Sequence, residues 1–145
     1  MLSSTDMQDA FGFDVYTFLK KVKDENGLGK IRLLFDNDTS RAHAMHVAGV
    51  CEIHLPTRQA IKQLRGFDEA TAVAKQKAGL IEEVIHCKHR EASHTDTIVS
   101  ETIQSMQRHL APQELMIPYI QEKIRRLVQS PERVQSLAPL PQPSP

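Results

Sequence analysis

Lys30-Ile31-Arg32-Leu33-Leu34-Phe35 is the stretch on which the fold class turns, because this short apolar run fits a strand and a helix equally well. Periodicity cannot separate the two over so few residues, so the flanks must decide. Upstream, Asp14 precedes Val15, Phe18, Leu19 and Val22 on one helical face, and Asn26-Gly27 offers a stop, which predicts a helix over 14–25. Downstream, the turn-forming Asp36-Asn37-Asp38-Thr39-Ser40 supplies caps, after which His43, Val47, Val50 and His54 share a helical face up to Pro56. With helical neighbours and no visible partner strand, 30–35 reads as a short helix.

The rest of the chain extends that reading. Pro56 opens another short helix that ends near Gly66, and Asp68 caps a long one reaching about Ala92, with Ala70, Val73, Leu80, Val84 and Cys87 as its stripe. Ser93 to Asp96 is a turn, Thr97 to Leu110 a further long helix, and Pro112 sits where a first-turn proline is welcome. Pro118 lacks a backbone donor and kinks or restarts the last helix, which carries Ile120, Ile124 and Leu127. The predicted fold is all-α: a compact bundle of five to six helices, three of them long. It forms a single helical domain over 11–130, between a flexible N-terminus at 1–10 and a disordered proline-rich tail at 131–145.

Composition narrows the function classes. A chain of 145 residues buries a core without metal or disulfide staples. Its 18 Lys and Arg balance 18 Asp and Glu, so no whole-molecule field draws it to nucleic acid or an anionic membrane. Aromatic residues are scarce, leaving Phe11, Phe13, Phe18, Phe35 and Phe67 as the large core plugs. Cys51 and Cys87 lie in apolar patterns and read as two buried thiols of a reducing compartment. With no leader-like N-terminus and no apolar run near the roughly 18 residues of a membrane span, the expected location is cytoplasmic or nuclear, not secreted and not membrane-bound.

Several side-chain patterns bear on chemistry. Cys51-x2-His54 and His86-x2-His89 each place two ligand types on one helix face, and on facing helices Cys51, His54, His86 and His89 would complete a tetrahedral zinc site. Glu83-x2-His86 and Glu91-x2-His94 match the carboxylate–imidazole pairs that resemble those of di-iron bundles. On one continuous helix, however, those pairs lie about 12 Å apart along the axis, too far to share a cluster unless the helix breaks between them. No nucleophile elbow, glycine-rich phosphate loop or H-E-x-x-H motif is present, so the sequence names no catalytic residue and calls for no cofactor.

The segment Ile61-x2-Leu64-Arg65-Gly66-Phe67-Asp68-Glu69-Ala70-Thr71-Ala72 resembles the helix-hairpin-helix of the small N-terminal domains of strand-exchange recombinases. The resemblance implies sequence-independent contact with DNA through backbone donors near Gly66, with Arg65, Lys75 and Lys77 at hand. Asp68 stands where that motif has a small residue, and Lys75 where it has an apolar one. Gly66-Phe67 before Ala70 also resembles the loop of ubiquitin-associated domains, and as a plain connection it needs only Gly66 for the turn and Asp68 for the cap.

The function the sequence favours is a small protein-interaction module, an adaptor or assembly subunit that binds a protein partner or a second copy through apolar helix faces. The faces are Val99, Ile103, Met106 and Leu110, at coiled-coil-like spacing, and Ile120, Ile124 and Leu127. Nucleic-acid binding through 60–79 and metal binding rank behind it.

Overall fold

The run at 30–35 is a strand. The computed structural model describes residues 14–129; the expectations for 1–10 and 131–145, and for Phe11 and Phe13 as core plugs, lie outside the described residues. Helix α1 (Val15–Glu25) leads into β1 (Ile31–Asp36), β2 (His43–Val47) and β3 (Val50–Pro56), followed by α2 (Arg58–Arg65), α3 (Glu69–His89), α4 (Asp96–His109), α5 (Pro112–Leu115) and α6 (Pro118–Val128). The all-α expectation is therefore corrected to a mixed architecture: helices around a three-stranded sheet of order β1-β3-β2.

The physical reason is that strands need partners a local pattern cannot show. β1 pairs parallel with β3, so that Leu33 faces Ile53 across twenty residues of chain, while β2 pairs antiparallel with β3, Ala44 facing Ile53. A period of two is present once the partner is known: Ile31, Leu33 and Phe35 are partly buried between exposed Arg32 and Leu34, and on the central strand Cys51, Ile53 and Leu55 turn into the core. The 43–54 segment is no helix, because Ala48-Gly49 breaks it. Both have positive φ, 52° and 80°, as a two-residue type I′ hairpin requires. Alanine is poorly suited to that conformation, so Ala48→Asn should raise folding stability by about 0.5–1 kcal/mol in urea denaturation. A loss of stability would show that the turn is not what sets the β2–β3 register.

The caps hold the helices where the sequence puts them. Thr57, Asp68 and Thr95 accept from the backbone N–H groups of Ala60, Thr71 and Ile98 to open α2, α3 and α4, and Gly66 closes α2 at φ 67°. α3 is the axle: it packs against the sheet, α1, α2, α4 and α6, and is buried almost all round. Its one glycine has a use, since a Cβ on Gly79 would stand 3.3 Å from the Ala42 Cβ where the chain enters β2.

The apolar stripes close this same core. Val99, Met106, Leu110, Ile120 and Leu127 are buried within the chain, and Ile103 and Ile124 are half-buried. Cys51 and Cys87, read as separate thiols, form a disulfide with a Cα–Cα distance of 6.0 Å that ties the central strand to α3. Among the described residues no helix is long and apolar enough to cross a membrane.

Candidate functional site

A cleft of about 500 Å³ opens between β2, one face of α3, the α3–α4 loop and α6. Lys75, Gly79, Glu82 and His86 recur at helical spacing along α3 and present one stripe to it, while Tyr119 and Lys123 do the same from α6. A cleft lined by so many ionisable groups within an aliphatic core is not required for packing, and sites of this kind concentrate perturbed titrations.

The loop that completes the cleft begins at Arg90, which ends α3 in the left-handed conformation at φ 50°. Its N–H donates to the Cys87 carbonyl, and that of Glu91 to His86, so the chain doubles back over the helix it has just left. His94 thereby returns to Glu82, and its ring lies 5.2 Å from that of His86. The separation of about 12 Å foreseen for a continuous helix is abolished by this break.

Three ligand-type atoms converge. Glu82 Oε2 lies 2.6 Å from His94 Nε2 and 3.7 Å from His86 Nε2, and all three atoms fall within 4.8 Å of one another. Ligands held at about 2.1 Å by one ion stand about 3.0 Å apart in octahedral and about 3.4 Å apart in tetrahedral geometry, values between the two oxygen–nitrogen distances seen. The surroundings orient the groups. His86 Nδ1 lies 2.6 Å from the Glu91 carbonyl oxygen, to which it donates, so its Nε2 is turned toward Glu82. Lys123 Nζ binds the other carboxylate oxygen of Glu82 at 2.6 Å. Such partners behind the ligating atoms are what fixes a metal-binding histidine or carboxylate.

Electrostatics divide the two neighbouring carboxyls. Burial alone would raise the Glu82 pKa, but His86, His94 and Lys123 outweigh it and hold the group far below the ordinary carboxylate range. Glu83 lacks those partners: burial, reinforced by the charge of Glu82, pushes it up to about 7. Burial would lower the His86 pKa, yet the Glu82 carboxylate and the Glu91 carbonyl leave it raised. Lys75 is brought down to about 8, first by burial and then by Lys123, Arg65 and Arg41.

The residues singled out from sequence are dispersed. Of the predicted zinc set only His86 reaches the cluster: Cys51 is in the disulfide, His54 stacks on His43 at 4.4 Å on the sheet, and His89 pairs with Glu101 at 3.1 Å. Of the nucleic-acid set, Arg65 and Lys75 share a second groove, whereas Lys77 pairs with Glu114 at 2.8 Å and does not line it. The helix-hairpin-helix anion site near Gly66 is filled by the chain's own carboxylate, since Asp68 caps the Thr71 N–H. Sequence reasoning missed Glu82 and did not place His94 beside it, because the turn at Arg90 carries no glycine to mark it.

In comparisons with known proteins the chain matches no family model, no curated protein and no solved structure.

Proposed function

We propose that the chain binds a divalent first-row metal ion through Glu82, His86 and His94 and presents it to the cleft. The observation that carries this reading is the convergence of two imidazole nitrogens and a carboxylate oxygen, with His86 and Glu82 braced from behind, on one wall of an open cavity. Two histidines and one carboxylate suit zinc, iron(II) or cobalt(II) better than calcium or magnesium, which prefer all-oxygen shells. Three protein ligands leave coordination positions for water or substrate, as in catalytic sites and unlike closed structural ones. An ion so placed supplies Lewis acidity, and hydrolysis is the reaction class that such a site serves most directly.

The adaptor reading has less to draw on, because Val99, Met106, Leu110, Ile120 and Leu127 are buried within the chain and Ile103 and Ile124 are half-buried. The expected cytoplasmic or nuclear location draws none from the Cys51–Cys87 bond, which suits oxidising surroundings.

Cobalt(II) titrated into chelator-treated protein tests the site. Binding should give a visible d–d spectrum and one-to-one calorimetric stoichiometry, and zinc should displace the cobalt. His94→Ala, on the loop and outside the helix core, should weaken binding at least tenfold, the loss of one ligand. Binding should also strengthen as pH rises above about 6.5, because the raised pKa of His86 means that a proton must leave before the metal enters. No spectrum and no heat at millimolar cobalt, or an unchanged affinity in His94→Ala, would overturn the assignment.

A further inference from the structure

Beside the metal cleft, and sharing Arg41, Lys75, His94, Tyr119 and Lys123 with it, runs a larger groove of about 900 Å³ between α2, the start of α3 and α6. Its charge is one-sided. Arg41, Arg65, Lys75, Lys123, Arg125 and Arg126 line it, with Glu122 as the acid among its lining residues. Glu122 is held by both Arg125 and Arg126, and Lys123 is spent on Glu82.

Three of these cations have no carboxylate in contact. Among the described residues, Arg41, Arg65 and Lys75 make no ion pair with a carboxylate. Lys75 is the telling one: its side chain is 9% exposed, and its ammonium has the Tyr119 hydroxyl at 3.3 Å and the Tyr119 ring face at 5.2 Å as its partners. A buried ammonium with no carboxylate in contact, Glu82 acting on it only from a distance, is costly, and an anion arriving in the groove would relieve that cost.

The groove also has an aromatic floor. Phe67 and Tyr119 lie 5.4 Å apart, and the Arg65 guanidinium sits 4.8 Å over the Phe67 ring. Cations that track a phosphate backbone, interleaved with rings that take a base, are the two components of single-strand recognition.

We infer that this groove binds single-stranded nucleic acid, with backbone phosphates on Arg41, Lys75 and the edge of the Arg65 guanidinium, and a base stacked on the outer face of that guanidinium, which itself lies over the Phe67 ring. The site is separate from the helix-hairpin-helix geometry suggested by sequence: the phosphates meet side chains between α2 and α6, not backbone donors at Gly66. The inference rests on the groove's own charges and stands without the metal ion. The shared lining brings the strand to the mouth of the metal cleft.

Fluorescence anisotropy of a labelled twelve-nucleotide single-stranded DNA, titrated with the full chain in EDTA, tests it. Binding should weaken with salt at a log–log slope of about −2, as about three phosphate contacts give on a single strand. Arg41→Glu and Arg65→Glu should each weaken binding at least tenfold. Phe67→Ala should weaken it about tenfold. Lys21→Glu, an exposed α1 lysine that does not line the groove, should change it less than twofold. Circular dichroism confirms that each variant is folded, and Arg41 and Arg65, being exposed, leave the core intact.

The strand titration runs in EDTA and the cobalt titration without nucleic acid, which separates the two outcomes: either can fail alone. The inference is overturned if no anisotropy change occurs at 50 mM salt, if Arg65→Glu binds as the parent does, or if duplex DNA binds more tightly than the single strand. Inorganic phosphate that competes the strand off at equal concentration would also overturn it, reducing the groove to a single-phosphate site.

Discussion

Glu82→Gln should lower the folding free energy by about 3–5 kcal/mol at pH 7 in metal-free buffer, the range for removing one partner of a buried ionic network. Glutamine keeps the shape of the side chain, removes its charge and turns one accepting oxygen into a donating NH2 group. In the parent protein that charge serves Lys123 through one oxygen and His94 through the other, with His86 alongside. The side chain of Glu82 is 6% exposed and that of Lys123 24%, so little water can replace the lost partner. Urea denaturation measures the cost. The double variant Glu82→Gln with Lys123→Met should recover most of it, since the stranded ammonium is then gone too. The pH dependence follows from the sign of the shift. A carboxylate held below its ordinary pKa contributes stability that is present above about pH 4.5 and lost as the pH falls through its folded value. The variant should therefore lack part of the parent's acid sensitivity. A cost under about 1 kcal/mol would mean that α6 is not tied to α3 through this carboxylate.

The parts of this site that sequence could show are those governed by neighbours within a turn of helix. Asp68 and Thr95 cap the helices that carry it, and Pro118 restarts α6 at the position that aims Tyr119 and Lys123 inward. Spacing alone likewise aligns Glu82 with His86. What stayed hidden depends on long-range approach. β1 has its partner twenty residues on, in parallel, and the hairpin turns on an alanine where glycine or asparagine would have signalled it. The same holds at Arg90, a non-glycine residue in the left-handed region, whose turn brings His94 home. A reversal marked only by Gly49 and one marked by no glycine at all thus concealed the sheet and the cluster. The apolar stripes were legible as stripes, but a stripe does not say whether it meets a partner or the chain's own sheet.

Glu83, the next residue, should behave in the opposite sense to Glu82, and the contrast tests the electrostatics of the cleft. Burial and the Glu82 charge raise its pKa to about 7, while His86, Lys123 and His94 pull it down less strongly. With a folded value above the ordinary one of 4.5, the native state holds a proton that the unfolded chain releases. Stability then falls as pH rises from about 4.5 to about 7 and stays reduced above that. The full cost approaches about 3.5 kcal/mol at about 1.4 kcal/mol per pKa unit. Glu83→Gln keeps the shape, removes the ionisation, and should leave stability at pH 5 nearly unchanged while raising it at pH 8 by about 1–3 kcal/mol. Urea curves at the two pH values in EDTA decide the matter: an equal effect at both, or a loss at pH 8, means that the Glu83 carboxylate is solvated and the cleft is wetter than its geometry implies. Repeating the pH 8 measurement with zinc links the two halves of the site. An ion on Glu82 and the histidines favours the Glu83 carboxylate by its own charge, so the stabilisation gained from glutamine should shrink. If it does not, zinc is not binding beside Glu83.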